Sequence, residues 1–89
     1  MTQVTIDGTK IADISHLHTV LARELHFPAW YGRNLDALYD CLADRKEEAV
    51  ITIRHPEALE EILGKKAKGF FRALADAGNA ASLLTVIYK

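Results

Sequence analysis

Val4 and Ile6 alternate with Thr5 and Asp7 before an Asp7-Gly8 pair, the pattern of a short strand closed by a turn. Ser15 is a suitable N-cap for a helix running to about Leu25, with Leu17, Val20, Leu21 and Leu25 on one stripe and Phe27-Pro28 as its stop. A loop from Pro28 to Arg33 follows. Asn34 then caps a second helix to about Ala43, whose apolar stripe is Leu35, Leu38 and Leu42. The run Val50 to Ile53 reads as a buried strand. Pro56 suits the first turn of a helix ending before Gly64. A further helix is predicted from Ala67 to Ala77, with Phe70, Leu74 and Ala77 on one face and Gly78 as its stop, and Leu83 to Tyr88 forms a last strand. The order is β-αα-β-αα-β. Helices between successive strands imply parallel pairing with right-handed crossovers, so the prediction is an α/β fold: a three-stranded parallel sheet packed by about four helices.

Length and composition narrow the function. With 89 residues, 49% of them apolar, the chain is expected to form one domain over residues 1–89. A domain of this size buries only about 60–65% of its unfolded surface, which leaves room for a binding face but little for a deep enzyme cleft. The formal net charge of −1 counts against nucleic acid as the partner. A single cysteine, Cys41, excludes a disulfide framework within the chain and favours a reducing compartment. There is no basic-then-apolar leader and no apolar run of membrane-spanning length, so the expectation is a soluble cytoplasmic protein with no membrane partner.

Constellations for catalysis are missing. Of the four histidines, His16 and His18 are two apart, face different ways on a helix, and have no cysteine or carboxylate at ligand spacing; both read as solvated, and no metal is expected. Cys41 falls beside an apolar stripe as a small core residue, without a histidine spaced to activate it. No glycine-rich phosphate loop occurs. Lys65, Lys66, Lys68 and Arg72 lack interleaved aromatics for base stacking and read as a solvated helix start, while Phe70 and Phe71 read as core. The chain is therefore expected not to be an enzyme and to need no cofactor.

The second helix carries the stronger signal. At 100° per residue its leucines gather on one side, and Asp36, Asp40 and Ala43 gather opposite, with Tyr39 and Asp44 on the shoulders. Carboxylates at i, i+4 and i+8 repel by a few tenths of a kcal/mol per pair. Asp36 is favoured by the positive N-terminal dipole, whereas Asp44 is opposed at the other end and Asp40 has no basic neighbour one turn away. This locally unfavourable ladder lies beside Trp30, Tyr31 and Tyr39, residue types that anchor interfaces. It predicts an acidic, aromatic-edged surface for a basic partner.

At these residues the chain resembles the barstar family, intracellular inhibitors of secreted ribonucleases of the barnase type. Ser15 to Leu25 is similar to the family's first helix. Pro28 to Leu42 carries the family's Tyr-Gly-x-Asn-Leu-Asp-Ala-Leu core followed by an aromatic residue, Asp and Cys, here Tyr31 to Cys41. The resemblance implies a barstar-like α/β fold whose second helix and preceding loop enter a ribonuclease active site. It places Asp40 at the family's central acidic position, Asp36 at its partner carboxylate and Trp30 where an aromatic covers the enzyme's catalytic histidine. Asn34, Leu35 and Tyr39 fill further contact positions. The chain departs from the family in carrying Ala43, Asp44 and Arg45 for Thr-Gly-Trp, and Ala73 and Ala77 where two glutamates add negative potential, with only Asp76 nearby. Glutamates restored at 73 and 77 are accordingly expected to speed association.

The leading expectation is an immunity protein or antitoxin that binds a basic microbial ribonuclease, or a ribonuclease toxin domain, in a 1:1 complex through Trp30, Tyr31, Asn34, Leu35, Asp36, Tyr39, Asp40, Ala43 and Asp44. The alternatives are a barstar-like adaptor for another basic protein and a small nucleic-acid-binding domain using Lys65 to Arg72. The acidic face and the net charge oppose the second alternative.

Overall fold

The computed structural model describes residues 1–89. Strand β1, Thr2–Asp7, pairs in parallel with β2, Ala49–Arg54, which pairs in parallel with β3, Leu84–Tyr88, in the order β1-β2-β3. Val4 and Ile6 of β1 register with Ile51 and Ile53 of β2, and these four side chains are buried. The alternate positions Gln3 and Thr5 are exposed, so the period-2 pattern of β1 marks a sheet covered on one face only. Two right-handed crossovers between strands in sequential order place all the intervening helices on the same face.

Those helices are α1, Ile14–Glu24; α2, Leu35–Ala43; α3, Pro56–Leu63; and α4, Ala67–Ala80, with short 3-10 turns at Gly8–Lys10 and Gly64–Lys66. None is long and apolar enough to cross a membrane. The cap of α1 is Asp13 rather than Ser15: its carboxylate accepts from the His16 N–H at 2.8 Å, an equally good cap that starts the helix earlier. The α1 helix ends with His26 in the left-handed region at φ 57° and the Phe27 N–H donating to the Ala22 carbonyl at 2.9 Å. That six-residue closure usually employs glycine. Asn34 caps α2 as expected, accepting from the Ala37 N–H at 2.8 Å.

Gly78 does not stop α4. It keeps a negative φ, and the helix runs two residues further, to Ala80, with the Ala81 N–H still bonded to the Ala77 carbonyl at 2.8 Å. A mid-helix glycine costs about 1 kcal/mol, less than the continuing stripe of Phe70, Leu74, Ala77 and Ala81 returns by burial. Phe71 is only half-buried, packed edge-on to Phe70 at 5.4 Å and against Tyr88 at 5.8 Å between ring centroids.

The α4 face also corrects the expectation for residues 73 and 77. Ala77 is 0% exposed and lies in the core, while Ala73, 9% exposed, borders a groove shared with Asp36 and Tyr39. A glutamate at 77 would bury a charge with no partner. We expect Ala77→Glu to destabilise the chain by at least about 3 kcal/mol and Ala73→Glu by no more than about 1 kcal/mol, measured by urea unfolding.

Candidate functional site

The site is built on α2 and the loop before it. Leu38 and Leu42 are fully buried and turn the opposite face of α2 outward. The main neighbour of α2 is α4, and the approach is close at Gly69, where an added Cβ would lie 2.9 Å from Leu35 Cδ1. Leu35, Tyr39 and Ala43 are half-buried along the edges of the outward face; Asn34, Asp36, Asp40 and Asp44 are exposed on it. The molecule's ion pairs are His55–Glu57 at 3.5 Å and Arg72–Asp76 at 3.9 Å, so Asp36, Asp40 and Asp44 are unpaired. Asp76 is the acidic group α4 contributes beside them, and Arg72 offsets it.

The preceding loop is held by side-chain contacts of Tyr31 and Arg33 and by a backbone turn. Tyr31 packs on Phe27, with ring centroids 4.8 Å apart, and its hydroxyl lies 2.6 Å from His18 Nδ1. Arg33, at φ 55°, donates through Nη2 to the Ser15 carbonyl at 2.8 Å, the Ser15 hydroxyl at 3.0 Å and the Thr19 hydroxyl at 2.9 Å. The Tyr31 N–H bonds to the Pro28 carbonyl at 3.0 Å, closing a turn that projects Trp30. Trp30 is 84% exposed, a large aromatic with nothing covering it. Between Trp30 and Pro28 on one side and Asp40, Cys41 and Asp44 on the other opens a cleft of about 350 Å³.

Two histidines differ from the expectation of solvation. His16 accepts the Ala12 N–H on Nδ1 at 3.0 Å. His18 is 5% exposed, because it shares the stripe of Ile14, Leu17 and Leu21 at i+4, i+1 and i−3, a signal present in the spacing. Burial, with the Arg33 guanidinium adding to it, lowers the His18 pKa below its ordinary 6.5. Tyr31 is pushed up to about 12 by burial and the proximity of Cys41, so the pair bonds as two neutral groups. Cys41 is half-buried rather than core, and burial with Asp40 and Asp44 nearby raises its thiol pKa. Protonated, it is a poor nucleophile.

Arg45, one of the departures from the family pattern, follows Asp44 directly and so sets a positive charge beside the acidic face. Its guanidinium is half-buried, donating through Nη1 to the Leu25 carbonyl at 3.0 Å and so tying the end of α2 to the end of α1; its Nε is buried without a partner. Arg45 lines the same cleft as Asp40 and Asp44. Neither this role nor the Arg33 anchorage has a periodic signature in the sequence.

The His18 environment sets a pH dependence. The folded state holds His18 neutral below the pH at which the unfolded chain takes up the proton, so stability is full above about 6.5 and falls as the pH drops from there towards the lowered folded value. We expect unfolding midpoints to decline from pH 7 to pH 5 in the natural chain, and this slope to be reduced in His18→Gln. An unchanged slope in the variant would place the titration elsewhere.

Comparison with known proteins identifies the family. The profile of the family described as Barstar (barnase inhibitor) matches residues 1–87. A Bacillus subtilis (strain 168) protein named "Putative ribonuclease inhibitor YrdF" is 52% identical over 42 residues, 47% of this chain and 46% of the relative, so the chain's match spans about half the length of that protein. With a match over nearly its whole length, a parallel three-stranded sheet and the Tyr31-to-Cys41 motif running from the loop into α2, the chain belongs to the barstar family.

Proposed function

We propose that this chain inhibits a basic microbial ribonuclease, a secreted enzyme of the barnase type or the ribonuclease domain of a toxin, by laying α2 and its preceding loop across the active site in a 1:1 complex. The observation that carries this reading is a set of three exposed, unpaired carboxylates, Asp36, Asp40 and Asp44, beside an 84% exposed Trp30. A ribonuclease site binds phosphates with Arg, Lys and His groups. A surface of carboxylates held on a rigid helix can accept from the same donors, and each charge-assisted bond contributes about 1.5–3 kcal/mol. The family description and the relative's name support a ribonuclease as the target.

In this reading Asp40 occupies the centre of the contact, Asp36 neighbours it, and Tyr31, Asn34, Leu35, Tyr39 and Ala43 complete the surface. Trp30 stacks on the partner, and the cleft behind it brings Asp44 into reach of a second cationic side chain. The protein then protects the cell that makes the ribonuclease, as an immunity protein or antitoxin acting in the cytoplasm. It carries out no chemistry itself.

Asp40→Asn separates binding from folding. Relief of repulsion with Asp36 and Asp44 leaves the free chain's stability unchanged or a few tenths of a kcal/mol higher. Affinity for the cognate ribonuclease falls by at least about 2 kcal/mol, in the direction the family resemblance supplies. Paired urea unfolding and calorimetric titration check this; equal losses in both would make Asp40 a structural residue. For Trp30→Ala, we expect a dissociation rate raised by about tenfold or more with association changed far less, read by surface plasmon resonance.

A further inference from the structure

The open face of the sheet carries a second constellation, remote in character from α2. The register sets Thr5 beside Thr52, and the bonds from the Lys89 N–H to the Ile53 carbonyl (2.9 Å) and from the His55 N–H to the Lys89 carbonyl (3.3 Å) set Lys89 beside Arg54. Over these residues, at the carboxyl ends of the strands, lies a hollow of about 440 Å³ lined by Thr5, Thr52, Arg54, His55 and Lys89. Every lining side chain can donate a hydrogen bond, and none is a carboxylate or an apolar group. Arg54 and Lys89 make no ion pair. The register neighbour of Arg54, Asp7, is already engaged: its carboxylate accepts from the Thr9 N–H at 2.9 Å and the Thr9 hydroxyl at 2.6 Å, while lying within electrostatic reach of His55. Glu57 stands at the rim, its Oε1 3.5 Å from His55 Nδ1.

The backbone under the hollow is fixed. His55 sits at φ 55°, and Gly8 packs so closely on this corner that a Cβ there would come 2.3 Å from the His55 carbonyl oxygen and 2.8 Å from the Leu59 nitrogen. Only glycine permits that approach. The donors therefore stand on a corner that need not reorganise to bind.

We propose that this hollow binds a phosphate group. The Arg54 guanidinium offers its planar fork to two oxygens, Lys89 supplies a further positive charge, and the His55 ring and the Thr5 and Thr52 hydroxyls offer donors to the remaining oxygens. The group has two sources, free orthophosphate or the phosphate of a nucleotide. The site shares no residue with the α2 surface, so its failure would leave the inhibitor reading untouched.

The test is a titration of the intact ¹⁵N-labelled chain with orthophosphate, and separately with a 5′-nucleoside monophosphate, at ionic strength held constant with chloride. Saturable shifts confined to the neighbourhood of Thr5, Thr52 and His55 are expected. Arg54→Ala should weaken binding by about tenfold or more and Thr52→Val by about threefold, while Lys65→Ala with Lys66→Ala changes it less than about twofold. Tighter binding of the nucleotide, with added shifts beyond the hollow, assigns the phosphate to a nucleotide; equal or weaker binding assigns it to orthophosphate. Shifts that do not saturate, or that spread equally to Lys65, Lys66 and Arg72, or an Arg54→Ala chain that binds as before, would overturn the proposal.

Discussion

The burial of Leu38 and Leu42 is the constraint on which the rest of the molecule depends. Each fully buried leucine contributes about 1.5–3 kcal/mol, against a few tenths for each repulsion between carboxylates one turn apart. The helix can therefore carry Asp36, Asp40 and Asp44 outward without an ion pair to neutralise them. Gly69 makes the arrangement tighter still, letting α4 approach Leu35 closely. Burial on one side and uncompensated charge on the other are two consequences of one spacing.

The loop before α2 is fixed by a different means, polar contacts made where apolar packing is thin. The hydroxyl of Tyr31 against His18 and the fan of bonds from Arg33 to Ser15 and Thr19 link the loop to α1, while Arg45 links the far end of α2 to the end of α1. Both ends of the outward surface are thus anchored to the same helix. That anchorage lets Trp30 stay exposed yet held in place, so that less conformational entropy is lost when a partner covers it. It also costs something, since His26 and Arg33 adopt left-handed backbone and the Arg45 Nε is buried unbonded.

Much of this was legible in the chain. Strand alternation, the Asn34 cap, Pro56 at a helix start and the leucine stripe of α2 are local signals, and they placed the elements and their order correctly. The acidic ladder was legible because periodicity assigns faces. What escaped was tertiary. Gly78 reads as a stop until the packing of Ala77 and Ala81 is known; Ala77 reads as a vacant place for charge until it is found in the core; Arg45 reads as a surface cation until its bond to Leu25 is seen. His18 is a different case, since its place on the apolar stripe of α1 was visible and its polar type outweighed the pattern.

The account stands on α2 occluding a ribonuclease active site, and the most direct measurement is inhibition in competition with an active-site ligand. A barnase-type ribonuclease would be titrated with this chain, with RNA hydrolysis followed at rising concentrations of a nucleotide that occupies the catalytic site. Complete inhibition is predicted at one chain per enzyme, with the apparent dissociation constant rising linearly with nucleotide concentration. Tight binding that nucleotide leaves unchanged would contradict it, because the acidic face would then be docking somewhere other than the catalytic site.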